Sequence, residues 1–429
     1  MEKIKITPLQ IFSLILLFEL GTGLVVNLGM EAHKDEWLAV LLGMIIGILL
    51  YAGYSMLYLW FPNMLPTEYD KLLLGKYLGT LVGISYMVFF MYKASRDLMD
   101  GGLLVIATSL RETPVFIVNM LMMITVAYTV HKGLEVLART ALILLASMML
   151  IGALSLLLIA FAHIVDINRL LPVLGDGIGP LLQSVTRTNY QFPFAEVVAF
   201  NMLLPFLNHP KKGVKAGYLA LLSAGFILSL AVATTVAVLG VDLAERSYFP
   251  MLITVGKASI SDFIQRPDIF VVMALIIGIY FKICIYFFAA VIGISNIFNI
   301  PYQKLIYPLT LIILALTAFE TRSYSEHLLK GGKMLYSVDP IFFIVLPLIL
   351  LIAAVIRKLI FRSRSGAGTG TGTGTGGGFG TGAGDGTLGG TGTSTVGTTY
   401  TGTEGGSGAG YEIPRGGSGS GGGVGGGGS

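Results

Sequence analysis

Ten stretches of this chain are each apolar for about the length needed to cross the hydrocarbon core of a bilayer, roughly 20 residues of helix. They are residues 7–30, 36–60, 78–109, 114–131, 139–163, 178–208, 214–241, 267–297, 302–319 and 338–361. In lipid every backbone amide and carbonyl must be satisfied internally, so segments like these fold as helices. That constraint predicts an all-α polytopic membrane protein and leaves little room for any other class. Only 12% of the 429 residues are charged, about half the share in a soluble domain. An ordinary soluble enzyme, a disordered chain and a nucleic-acid binder are excluded together, and a net charge of +4 is too small to call for a polyanion. Residues 365–429 stand apart: they hold 31 of the 56 glycines in Gly/Thr/Ser repeats. Such a segment cannot bury a core and is expected to be a disordered tail or a linker. The transmembrane domain is therefore 1–364.

The first apolar segment is expected to span rather than to be a cleaved signal, because it lacks a small-residue cleavage site and carries Glu19. Trp37 and Trp60 bracket the second span, where interfacial anchors belong. Lysine and arginine concentrate on one side, most sharply in His209-Pro-Lys-Lys-Gly-Val-Lys215 and in Arg357, Lys358, Arg362 and Arg364. The opposite loops carry acids such as Glu31, Asp35, Glu36, Asp242 and Glu245. By the positive-inside rule both termini are cytoplasmic, in keeping with an even number of spans.

Two spans are interrupted. The first contains Glu19-Leu20-Gly21-Thr22-Gly23, and the sixth contains Asn189-Tyr190-Gln191-Phe192-Pro193-Phe194-Ala195-Glu196. Proline removes a donor and clashes with the preceding turn, and glycine lets the backbone leave helical geometry. The breaks fall in helices 1 and 6 of ten, the first of each five-helix half. Because five is odd, the halves (about 7–163 and 178–361) run in opposite senses. Matched breaks in inverted repeats point to a transporter-type ligand site near the midplane. Helix poles at such breaks favour a carboxylate at the N-terminal ends and an ammonium at the C-terminal ends, which suits an amino acid.

Ionisable residues inside a membrane are costly and functional by default. Glu19 and Glu196 flank the two breaks, and Lys282 sits midway along the eighth span, where pairing with either acid would neutralise both charges. An ammonium there also occupies the place of a coupling sodium ion. In the third span Lys93 with Asp97 and Arg96 with Asp100 are spaced as i, i+4 pairs, about 22 Å along the helix, and read as a self-neutralised stripe or an entry path. The ligand-binding set is Gly21, Thr22, Gly23, Tyr190, Gln191, Phe192, Pro193, Phe194, Glu196 and Lys282. The charge network is Glu19, Glu196, Lys282, Arg96 and Asp97. Loop 242–268 is expected to carry a short helix at 249–260, and Asp339-Pro340 reads as a helix start. The single cysteine, Cys284, excludes disulfides, and the five histidines lack metal-ligand spacing. No phosphate loop, dinucleotide fingerprint, hydrolase triad or zinc spacing is present, so neither an enzyme nor a cofactor is expected.

Gly21-Thr22-Gly23, the Pro193 to Glu196 element, Leu110-Arg-Glu-Thr-Pro114 and Phe281-Lys282-Ile283 resemble, in order and spacing, the B subunit of bacterial spore germinant receptors. That family falls in the amino acid–polyamine–organocation superfamily and is expected to share the leucine-transporter fold. The resemblance covers about residues 5–361. It implies a subunit of the spore inner membrane that binds a small nutrient, with an amino acid as the expected class, and acts with A and C partner subunits. The residues alone leave a proton-coupled amino acid permease open as the alternative.

Overall fold

The computed structural model describes residues 5–25, 31–258, 268–320 and 324–366. The expected end of the first span, the end of the 242–268 loop and nearly all of the Gly/Thr/Ser segment lie outside them. The described residues are almost entirely helical: α1 (Pro8–Val25), α2 (Glu36–Trp60), α3 (Pro66–Leu74), α4 (Lys76–Thr108), α5 (Val115–Lys132), α6 (Leu134–Phe161) and α7 (Ile178–Ser184). There follow α8 (Pro210–Leu239), α9 (Val241–Arg246), α10 (Pro250–Gly256), α11 (Asp268–Phe298), α12 (Tyr302–Glu320), α13 (Tyr324–Ser337) and α14 (Leu346–Gly366). Among the described residues nine helical stretches are long and apolar enough to span a membrane. The chain is an integral membrane protein.

The sixth expected span is the one missing from that set. Residues 178–208 begin as α7 and loosen into a π-helical turn at Val185–Asn189. After the turn the chain continues as a 3₁₀ helix at Phe194–Met202. Around Pro193 the backbone is therefore not α-helical. α1 differs from expectation: it stays α-helical through Gly21, Thr22 and Gly23 to Val25. Its glycines serve packing instead. A Cβ on Gly21 would stand 2.7 Å from the Gly278 carbonyl oxygen, and one on Gly278 would stand 2.6 Å from the Gly21 Cα. Small residues let α1 and α11 meet backbone to backbone, the association available to helices when lipid supplies no hydrophobic drive.

These two helices form the centre. Along α11 every side chain from Phe281 to Val291 is buried, as expected of a helix that is apolar all round. α1 packs between α8 and α11, α4 lies along α11, and α2 lies against α8 and the 3₁₀ segment. The chain before α1 is joined to the end of the sixth segment by a short parallel bridge, Ile6 N–H to Phe206 O (2.8 Å) and Asn208 N–H to Ile6 O (3.0 Å).

The tenth expected span also differs. Residues 326–360 form one apolar helical stretch, so Asp339-Pro340 is an interior position rather than a helix start. A π-helical turn at Ile341–Val345 accommodates the proline. Widened turns release carbonyls, and here Tyr86 Oη donates to Phe342 O at 2.8 Å while Tyr54 Oη donates to Phe343 O. Short helices in the 242–268 loop fall at α9 and α10.

Candidate functional site

α4 is apolar for most of its length, yet Lys93, Asp97 and Asp100 recur at i, i+4 and i+7, which puts them on one face. That face looks onto a cavity of about 250 Å³ closed by α4, the interrupted sixth segment, the Thr22 turn of α1 and α13 with its continuation to Asp339. The small residues Gly331 and Gly332 let α13 lie close over it. Gly331 sits so near Arg96 that a Cβ there would stand 2.4 Å from the guanidinium.

At the base of the cavity Glu196 is held by two ammonium groups. Lys93 Nζ lies 2.5 Å from one carboxylate oxygen, and Lys282 forms an ion pair with the other. Lys282 also donates to Thr22 Oγ1 at 2.5 Å and stands over the rings of Phe18 (5.1 Å) and Phe192 (4.9 Å). Lys93 reaches across to Asp339 at 3.4 Å. All four charged side chains are buried. Desolvating an isolated charge is very costly, and the doubled pairing of Glu196 offsets that cost. Of the two partners the sequence offered Lys282, the structure pairs Glu196. Glu19 is fully buried near Lys282, with neither carboxylate oxygen hydrogen-bonded.

Lys93 reaches Glu196 and Asp339 rather than Asp97 one turn along its own helix. A lysine on α4 can satisfy two acids at once by pointing inward, while Asp97 keeps its Oδ2 without a partner. Asp100 is bonded by His327 Nε2 at 2.8 Å, and Arg96 donates to the His327 carbonyl at 3.0 Å. This ties α13 to α4. His327 had no role in the sequence reading because histidines were judged by metal-ligand spacing alone. No set of three metal-ligating side chains occurs among the described residues.

The sixth-segment interruption is braced from two sides. Glu36, read from sequence as a loop acid, is fully buried. It accepts hydrogen bonds from Ser184 Oγ (2.9 Å), Asn189 Nδ2 (2.8 Å) and Ala32 N–H (3.0 Å). On the other side Gln191 Nε2 donates to Leu335 O at 2.8 Å, fastening the interruption to α13. Its backbone amides are largely consumed: Ala195 N–H bonds to Gln191 O and Glu196 N–H to Pro193 O. The exposed helix poles expected to seat an anion are therefore not what the site presents. Charged side chains carry it instead.

Of the ligand-binding residues named from sequence, Thr22, Phe192 and Glu196 line the cavity, and Lys282 stands directly behind Glu196. Gly21 is packed on Gly278, and Gly23 faces Leu228 and Pro193. Phe194 is a core residue against Gly47, Gln191 braces α13, and Tyr190 is half-buried outside the lining. In the charge network Arg96 and Asp97 line the cavity and Glu19 does not. Lys93, expected in a stripe or entry path, Asp339, expected as a helix start, and His327 stand outside the ligand-binding and charge-network sets named from sequence. The i, i+4, i+7 polar face of α4 was the available signal for the first.

Residues 5–326 match the family model described as Spore germination protein. The chain is 41% identical to Spore germination protein KB of Bacillus subtilis (strain 168) over 361 residues, 83% of this chain and 96% of the relative. It is 27% identical to Spore germination protein YndE of the same organism, over 76% of this chain and 88% of the relative. Among solved structures it is similar to Mhp1, a nucleobase-cation-symport-1 family transporter. The TM-score is 0.55 at 11% identity, over 80% of this chain and 78% of that one. It is also similar to MhsT in complex with L-phenylalanine, with a TM-score of 0.53 at 15% identity, over 81% and 98%. These likenesses show the leucine-transporter fold.

Proposed function

Because this chain belongs to the spore germination protein family, we propose that it is the germinant-sensing membrane subunit of a spore germination receptor. A small nutrient, with an amino acid as the expected class, binds in the cavity between α1, α4, the interrupted sixth segment and α13. The observation that carries this reading is the doubly paired Glu196. A buried carboxylate bridged by Lys93 and Lys282 joins α4, the sixth segment and α11 through one group. A ligand that reorders these charges shifts the relative positions of three elements, which is what a sensor needs. The two halves, about 7–163 and 178–361, act as inverted repeats around it. Both termini face the cytoplasm, the membrane is the spore inner membrane, and A and C subunits read the shift. Lys282, bonded to Thr22, takes the place of a coupling cation.

A proton-coupled amino acid permease is the second reading. The observation in its favour is Glu19, buried beside Lys282 with neither oxygen hydrogen-bonded, where a proton carrier would sit. The test uses spores whose only copy of this chain carries Gly332→Trp. Gly332 lines the cavity and a Cβ added there would meet no neighbour within 4 Å, so the backbone accepts a side chain at this position and tryptophan is expected to obstruct the cavity. Loss of the response to an amino acid and sugar panel, with the protein at its normal level in the membrane, supports the sensor. Uptake of labelled amino acid by proteoliposomes of the chain alone, lost in Glu19→Gln, favours the permease.

A further inference from the structure

α1 runs through the middle of the molecule, yet part of its surface is left short of protein. α6 and α8 both pack against it, while their backbones scarcely meet each other. The gap lies where α6 carries the small residues Gly152, Ala153 and Ser155, and a Cβ on Gly152 would find nothing within 4 Å. The result is a second cavity, of about 270 Å³, floored by Leu20 and Leu24 of α1 and walled by α6, α8 and α11, with Met251 of α10 over one end. Its mouth is lateral. Ala153 and Leu230, on opposite sides of the gap, are exposed, and both lie inside helices long and apolar enough to span a membrane. Leu150 and Leu154 beside them are 63% and 50% exposed, as side chains that face hydrocarbon should be.

The lining settles what can fill this space. Its one polar side chain, Ser155, spends its hydroxyl on Ile151 O at 2.8 Å within α6. Water is held in a buried space only by several polar partners, and an apolar cavity of about 150 Å³ stays dry and takes up benzene instead. This cavity is larger than that. Left empty, it would forfeit the dispersion contacts of every side chain around it. The apolar material at its mouth is the hydrocarbon of bilayer lipid, which surrounds an integral membrane protein at all times. Met148, Met149 and Met251 in the walls are unbranched and adaptable, so they can close around a flexible chain.

We infer that the gap between α6 and α8 is the seat of one acyl chain of a bilayer phospholipid. The seat backs the helix that serves the central cavity. Leu20 and Leu24 are spaced i, i+4 and share one face of α1. Thr22, two residues from each, points the other way, to Lys282 and the central cavity. A chain in the gap covers the side of α1 that α6 and α8 leave open, and so steadies the turn that carries Thr22. Lipid held there belongs to the packing of α1 rather than to the surrounding annulus.

The test is photo-crosslinking of the purified full-length chain in nanodiscs of dioleoylphosphatidylglycerol, doped with the same lipid carrying a diazirine midway along one acyl chain. Adducts are located by peptide mass spectrometry. They are expected on α1 between Leu20 and Val25, in addition to Leu150 and Leu154 on the bilayer face of α6. Gly152→Phe and, from the opposite wall, Ala231→Phe are each expected to remove the α1 adduct and to leave the labelling of Leu150 and Leu154 unchanged. If α1 is unlabelled in the wild-type chain while Leu150 and Leu154 are labelled, no acyl chain enters the gap and the inference fails. Labelling of α1 that persists in both variants overturns it as well. So does labelling of α1 by a diazirine-bearing free fatty acid but not by the phospholipid, because the occupant would then be a different ligand.

Discussion

At Glu196 the order of mutational costs follows from counting partners. Lys282→Met leaves the carboxylate with Lys93, whereas Glu196→Gln leaves two buried ammonium groups without their shared counter-ion. Breaking a buried pair from one side costs about 3–5 kcal/mol. Glu196→Gln should therefore lower thermal stability more than Lys282→Met, and the double variant should fall between them rather than at their sum. Melting curves in detergent check this, and equal losses from the two single variants would contradict it. A second residue-scale expectation concerns Asp70 on α3, outside the spanning helices. It is 1% exposed, its Oδ1 has no partner, and burial pushes its carboxyl well above the usual carboxylate range. A group raised in the fold takes up protons on folding, so its favourable contribution is present at low pH and is lost as pH rises through the raised value. Asp70→Asn is expected to stabilise the protein at pH 8 by about 1–3 kcal/mol, with the gain shrinking as pH is lowered toward the usual carboxylate pKa. A gain that is constant with pH would mean the acid is ionised in the fold at no cost.

Among the elements, the two helices expected to be interrupted separate what a sequence displays from what it hides. Pro193 announces its own consequence, because proline cannot take part in the helical ladder, and the sixth segment does leave α-helical geometry there. Gly21 and Gly23 carry no such instruction. Glycine permits a break and equally permits close packing, and the choice depends on Gly278, some 257 positions away. No local pattern contains that partner. Gly21→Ala is accordingly expected to cost about 1–3 kcal/mol by overpacking, since its Cβ would meet backbone at 2.7 Å. Gly23→Ala, whose Cβ would meet only flexible Leu228 and Pro193 side-chain atoms at 3.2–3.4 Å, should cost much less. Thermal melts of the two variants compare them directly, and a Gly21→Ala protein as stable as the wild type would contradict the backbone contact. The stretch from α13 to α14 teaches the same lesson. Asp339-Pro340 reads locally as a start, but the π-helical turn and the tyrosine donors on α2 and α4 let the helix pass through it.

For the whole molecule the spans were legible because lipid enforces them: apolar length alone places nine of the ten expected segments as long helices. The cavity was only half legible. Glu196, Thr22, Phe192 and Lys282 follow from the two segments read as interrupted and the buried charge in the eighth span, while His327 enters through a helix that sequence places in a loop and Asp339, read as the start of the tenth span, enters through the continuation of that helix. Their role depends on α13 lying over α4, a tertiary fact that hydropathy does not record. The central claim is that this cavity is where a nutrient is sensed, and the most direct measurement is germination of spores carrying Gly332→Trp as their only copy, scored against the amino acid and sugar panel. The account predicts that the nutrient response disappears while the protein remains in the membrane at wild-type level. A full nutrient response in the Gly332→Trp spores would contradict it.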